Sequence, residues 1–143
     1  MSTMPSPRAP LTGGCPCGAV RFAVSAPFVA ALYCHCQRCQ RRTGAAASAN
    51  AQVATEAFAV LSGADEIRMW QPEDGAPKAF CGRCGGHLYS GDPNVDEAVR
   101  VRLGALDADP GIRPSARQWV SSAASWEPIP DDGLPRFDGP RQS

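Results

Sequence analysis

The sequence predicts a mainly β protein, a single domain built from short antiparallel strands. Three observations carry this. Fourteen glycines and fourteen prolines in 143 residues break the chain into short segments, because both residue types favour turns over long helices. Several runs between those breaks alternate apolar and polar residues, the two-residue period of a half-buried strand. Finally, "KAFC" and "HLYS" flank "CGRC" at 81–84, which reads as strand, tight turn, strand.

In chain order, residues 1–11 read as a loose polar tail, 12–139 as the domain and 140–143 as a short C-terminal tail. "AVRFAV" (19–24) places Val20, Phe22 and Val24 on one side of a strand. "FVAALYCHC" (28–36) is a second strand, and "AAASANAQV" (45–53) is expected to be extended. "TEAFAVLSG" (55–63) opens like a capped helix that Gly63 ends. "DEIRMWQ" (65–71) is a strand, and "AVRVRLGAL" (98–106) turns Val99, Val101 and Leu103 inward and Arg100 and Arg102 outward. The remainder is rich in turns, with Trp119, Val120, Trp126, Ile129, Leu134 and Phe137 as apolar anchors.

With 43% hydrophobic and 20% charged residues, the chain can bury one modest core. Its 14 basic and 14 acidic residues cancel. No global positive field exists to hold a phosphate backbone, which argues against general nucleic-acid binding. No apolar stretch suits a signal peptide or a membrane span, so the expectation is a cytoplasmic protein with no membrane partner. Disulfides are rare in that reducing compartment, which turns attention to metal binding or catalysis by the seven cysteines.

Those cysteines are Cys15 and Cys17 in "CPCG", Cys34, Cys36 and Cys39 in "YCHCQRC", and Cys81 and Cys84 in "CGRC". On an extended backbone Cys15 and Cys17 share a face, as do Cys34 and Cys36, which turns His35 away from its neighbours' metal. "CQRC" and "CGRC" have the spacing at which a tight turn aims two thiolates at one zinc ion. Spacing alone leaves the partition open. Cys36, Cys39, Cys81 and Cys84 could form a ribbon-like site, leaving Cys15, Cys17 and Cys34. Keeping each tight cluster whole instead closes Cys15, Cys17, Cys81 and Cys84 around one ion and leaves Cys34, Cys36 and Cys39 as a three-ligand set. A four-thiolate zinc is complete and structural, whereas a three-ligand zinc keeps a position open for substrate. Three thiolates also blunt the metal's Lewis acidity, so such a site suits the capture of a substrate thiol better than the activation of water.

The segments "GGCPCGAVRF", "YCHCQRCQRRTG", "FCGRCGGHLY" and "SWEPIPDDGLPRF" resemble, in order, the glutathione-dependent formaldehyde-activating enzymes, a zinc-binding family that also includes a centromere protein. The resemblance implies a β-tent-like fold and two zinc ions per chain. It assigns a structural zinc to Cys15, Cys17, Cys81 and Cys84, and an open, catalytic zinc to Cys34, Cys36 and Cys39. The implied partners are a thiol such as glutathione and a small aldehyde such as formaldehyde, and the implied activity is that of a carbon–sulfur lyase forming or breaking an S-hydroxymethyl hemithioacetal. Two readings from other classes stand beside it: a non-catalytic zinc-binding interaction module, and a thiol redox or zinc-buffering protein.

Arg38, Arg41 and Arg42 follow the open cluster and are candidates for binding substrate carboxylates; the plain alternative is a solvated basic loop. His35 reads as hydrogen-bonded packing, His87 as a strand-edge residue, and Tyr33, Trp70 and Trp126 as aromatic core.

Overall fold

The computed structural model describes residues 4–141. The chain is mainly β, with ten strands and one α-helix among the described residues. A three-stranded sheet has the order β1 (Leu11–Gly14), β2 (Arg21–Val24), β5 (Phe58–Ser62). A seven-stranded sheet has the order β10 (Arg117–Gln118), β3 (Ala30–Cys34), β4 (Ser48–Ala54), β9 (Ala98–Arg102), β8 (His87–Ser90), β7 (Lys78–Cys81), β6 (Ile67–Trp70). All pairings are antiparallel except β10 with β3, which is parallel. No helix of the described residues is long and apolar enough to cross a membrane.

Strand alternation builds the core. Val20, Phe22 and Val24 are buried as the pattern predicts, and from the larger sheet Val53, Val99, Val101 and Leu88 join them. Phe58 links the two groups, 5.3 Å from the Phe22 ring and 4.8 Å from the Tyr89 ring. Fully burying each such side chain contributes about 1.5–3 kcal/mol.

Several expectations are corrected. Residues 55–63 do not form a helix: Thr55–Ala57 make one 3-10 turn, and Phe58–Ser62 pair with β2. The phenylalanine and the valine that follow it gain more from a pleated, half-buried surface than from an isolated two-turn helix. The run at 98–106 ends as a strand at Arg102, and Leu103–Ala105 form a 3-10 turn. Leu11, read with the tail, opens β1, whose "TGG" carries no strand signal. It forms by pairing antiparallel with β2, and a Cβ on Gly13 would lie 2.5 Å from the Ala105 carbonyl oxygen, so only glycine allows the close approach there.

The C-terminal anchors do not enter the core. Trp126 is 64% exposed and Trp119 38%. The segment is instead held by polar contacts. Arg117, buried in β10, donates to Asp132 Oδ2 from Nε and Nη2 at 3.2 and 2.8 Å, and its guanidinium lies 4.3 Å from the Tyr33 ring centre. Trp70 is not core either; it is 44% exposed on the edge strand β6, with Arg42 and Arg38 at 5.7 and 5.8 Å from its ring.

Candidate functional site

The first cysteine group joins the two sheets. Cys15 and Cys17 sit in the β1–β2 turn, while Cys81 ends β7 and Cys84 lies in the β7–β8 turn. All four sulfurs lie within 4.8 Å of one another. Cys17 Sγ is 3.6 Å from that of Cys15 and 3.8 Å from that of Cys81. Sulfurs around a tetrahedral zinc with bonds of about 2.3 Å stand about 3.8 Å apart, so this donor set fits zinc in kind and in spacing. The backbone supports it: the Val20 and Arg83 N–H groups donate to Cys15 and Cys81 Sγ at 3.3 and 3.4 Å. Gly86 lets the two turns meet, since a Cβ there would stand 2.3 Å from Pro16 Cδ. Burial opposes ionisation of Cys15, but bonds from the Val20 N–H and the neighbouring thiols draw it down to about 6.

The second group is local. Cys34 is the last residue of β3, Cys36 is the extended N-cap of α1 (Gln37–Thr43), and Cys39 lies in its first turn. The Cys39 N–H caps onto Cys36 Sγ at 3.3 Å, and the Gly44 N–H closes the helix on the Gln40 carbonyl. This helix was not expected from the sequence, although its cap and its Gln and Arg residues were a readable signal. The three sulfurs again lie within 4.8 Å of one another, and Ser48 Oγ donates to Cys39 Sγ at 3.2 Å. Contacts with the Cys34 and Cys39 sulfurs draw Cys36 down to about 2, while contacts with the Cys36 and Cys39 sulfurs, with burial, push Cys34 upward. Among the described residues these three soft donors have no fourth, a set that would suit zinc and would leave one of its positions to another ligand.

His35 points away, as the alternation predicts. It is buried, with Nε2 3.1 Å from Arg117 Nη1. A guanidinium can only donate, so Nε2 accepts and the ring proton sits on Nδ1. Burial and the Arg117 charge hold His35 below its usual range.

The second cysteine group opens into a cleft of about 650 Å³. Its floor is the outer face of the larger sheet. Leu32 and Cys34 on β3 face Asn50 and Ser48 on β4, and Asn50 and Gln52 face Arg102 and Arg100 on β9. Ser90 lies between Arg100 and Lys78. Arg38, Gln118, Trp119 and Arg141 complete the walls. The outward reading of Arg100 and Arg102 therefore holds, and outward here means into the cleft. Of the three arginines singled out from the sequence, Arg38 lines it, Arg41 is exposed elsewhere, and Arg42 lies behind it against Trp70. Sequence reading missed Lys78, Asn50, Gln52 and Ser90; the alternating polar positions of "SANAQ" were the available signal. Trp119 at the rim holds a left-handed backbone (φ 58°), which costs about 1–2 kcal/mol for a bulky residue.

A model of the glutathione-dependent formaldehyde-activating enzyme family matches residues 10–122. The chain belongs to this family. A Halomonas elongata member named "Putative glutathione-dependent formaldehyde-activating enzyme" is 33% identical over 105 residues, which cover 69% of this chain and 67% of that one. A crystal structure of a Rhodobacter sphaeroides protein shares the fold, with a TM-score of 0.56 and 24% identity over 88% of this chain and 98% of that one. The family match spans both cysteine groups and the cleft floor. Asp132 and Arg141 lie beyond it.

Proposed function

We propose that the protein is a carbon–sulfur lyase that joins a glutathione-like thiol to a small aldehyde such as formaldehyde, or reverses that addition. The observation that supports this most is the contrast between the two sulfur groups: four close on one another between the sheets, and three open into a cleft lined by cations. In this reading Cys15, Cys17, Cys81 and Cys84 hold a structural zinc, and Cys34, Cys36 and Cys39 hold a second one. When bound, the second zinc supplies an open position at which a substrate sulfur is kept as thiolate near neutral pH.

The protein's own groups do the rest. Ser48 orients Cys39 and offsets part of its charge through the donated hydrogen bond. Asn50, whose Nδ2 donates to Ser48 Oγ at 3.0 Å, fixes that hydroxyl. Arg38 attracts the carboxylates of the thiol; Arg41 and Arg42 act on them only through their charge. Addition turns the carbonyl oxygen into a hydroxyl, which needs one proton, and the thiol releases one on binding. Lys78, held below the usual lysine range by burial and by Arg102, is the donor that lines the cleft. None of the seven cysteines is joined in a disulfide, in keeping with a reducing, cytoplasmic location.

The test is two-dimensional exchange NMR on an equilibrium mixture of formaldehyde and glutathione, with and without zinc-loaded protein. Exchange faster than the spontaneous rate, and lost in Cys36→Ser, supports the lyase reading. Equal rates with and without protein reject it in favour of the binding or redox alternatives.

A further inference from the structure

Over the whole chain 14 basic and 14 acidic residues cancel, but in the cleft they do not. Arg38, Lys78, Arg100, Arg102 and Arg141 line it, and among the described residues no aspartate or glutamate does. Of these five, only Arg38 makes an ion pair among the described residues, with the 91% exposed side chain of Asp74. The register explains the imbalance. Arg100 and Arg102 face Gln52 and Asn50, and Lys78 faces Ser90, so each cation meets a neutral amide or hydroxyl. Arg102 donates to Asn50 Oδ1 and to Ser90 Oγ, groups that position it without neutralising it.

Arg42 adds charge from behind, with Nε and Nη2 buried and without a hydrogen-bond partner. Three thiolates around a divalent ion carry one net negative charge, which leaves the cleft with a surplus of positive charge. Like charges at short range in a half-buried site repel one another unless an anion offsets them.

We propose that the cleft selects an anionic thiol that bears carboxylates or a phosphate but no free ammonium group, with Lys78, Arg100 and Arg102 as the residues that read its charge. This rests on the reading of the cleft as a thiol site. Glutathione brings two carboxylates but also an α-ammonium, for which the described lining residues include no aspartate or glutamate. Acylating that nitrogen keeps both anions and removes the repelled cation.

Calorimetric titration of the zinc-loaded full chain tests this with glutathione, N-acetylglutathione, the diethyl ester of N-acetylglutathione, and phosphopantetheine. N-acetylglutathione is expected to bind about fivefold more tightly than glutathione at low salt, and the gap narrows as salt rises. Its diester is expected to bind at least about tenfold more weakly than the diacid. Arg100 is exposed, so Arg100→Gln is the gentlest variant; it and Lys78→Gln should each weaken N-acetylglutathione about threefold and leave the diester unchanged. Glutathione binding as tightly as its acetylated form, or a diester binding as tightly as the diacid, overturns the proposal.

Phosphopantetheine binding above or below N-acetylglutathione identifies the preferred anion as phosphate or carboxylate, and either order supports the charge selection. S-methyl-N-acetylglutathione separates the two readings. If it binds as tightly as the free thiol and keeps the charge preference, the sulfur reading fails while the anion site stands.

Discussion

The two cysteine groups should differ sharply in what they contribute to stability. Cys17 and Cys81 are 64 residues apart in sequence, and an ion held by them together with Cys15 and Cys84 would tie the smaller sheet to the larger one. Treated as a cross-link, closing a loop of that length removes chain entropy worth about 4 kcal/mol. Cys34 and Cys39 are 5 apart, and the same relation gives about 2 kcal/mol. Cys17 and Cys84 are exposed, so truncating them to alanine removes ligands with little loss of packing. The Cys17→Ala/Cys84→Ala double variant should therefore melt about 10 °C below the parent, and Cys36→Ala/Cys39→Ala about 5 °C below it. Calorimetric melts of zinc-loaded proteins measure both, and a chelator should shrink both differences. Equal losses from the two variants, or no loss from the first, would refute the assignment of the sheet-joining group as the structural one.

Three further outcomes follow from the geometry. Gly86→Ala drives a methyl group into Pro16, so it should lower zinc affinity at the first site and cost about 2–3 kcal/mol in denaturant titration. Ser48→Ala removes the hydroxyl bonded to Cys39; competition with a zinc chelator should show about tenfold weaker binding at the second site, with the melting temperature nearly unchanged. His35 is held below its ordinary value of 6.5, so as pH falls below that value the unfolded chain takes up a proton that the folded chain resists. Its stabilisation is present above about 6.5 and is lost as pH falls through the folded value; denaturant titrations at several pH values should show a shallower acid slope for His35→Gln.

Where two thiols fall at short spacing, local backbone geometry suffices to read them. Cys34 and Cys36 share a face and His35 does not, because strand alternation is a property of three consecutive residues. The same two-residue period placed Val20, Phe22 and Val24 in the core and turned Arg100 and Arg102 outward. It failed at Phe58–Ser62 and at "TGG", where strand formation depends on a partner, β2 in both cases, that no local pattern names.

The sequence by itself determined the mainly β class, the three tight cysteine clusters and the outward face of β9. Only the tertiary structure decided that Cys15 and Cys17 meet Cys81 and Cys84, and that Lys78, Ser90, Arg100 and Arg102 share a cleft with Cys34, Cys36 and Cys39. Side-chain alternation is fixed over a few residues by the pleat. Which strands lie side by side is fixed by burial of a common core, and that brings together cations from distant strands whose charges cancel over the chain and accumulate in the cleft.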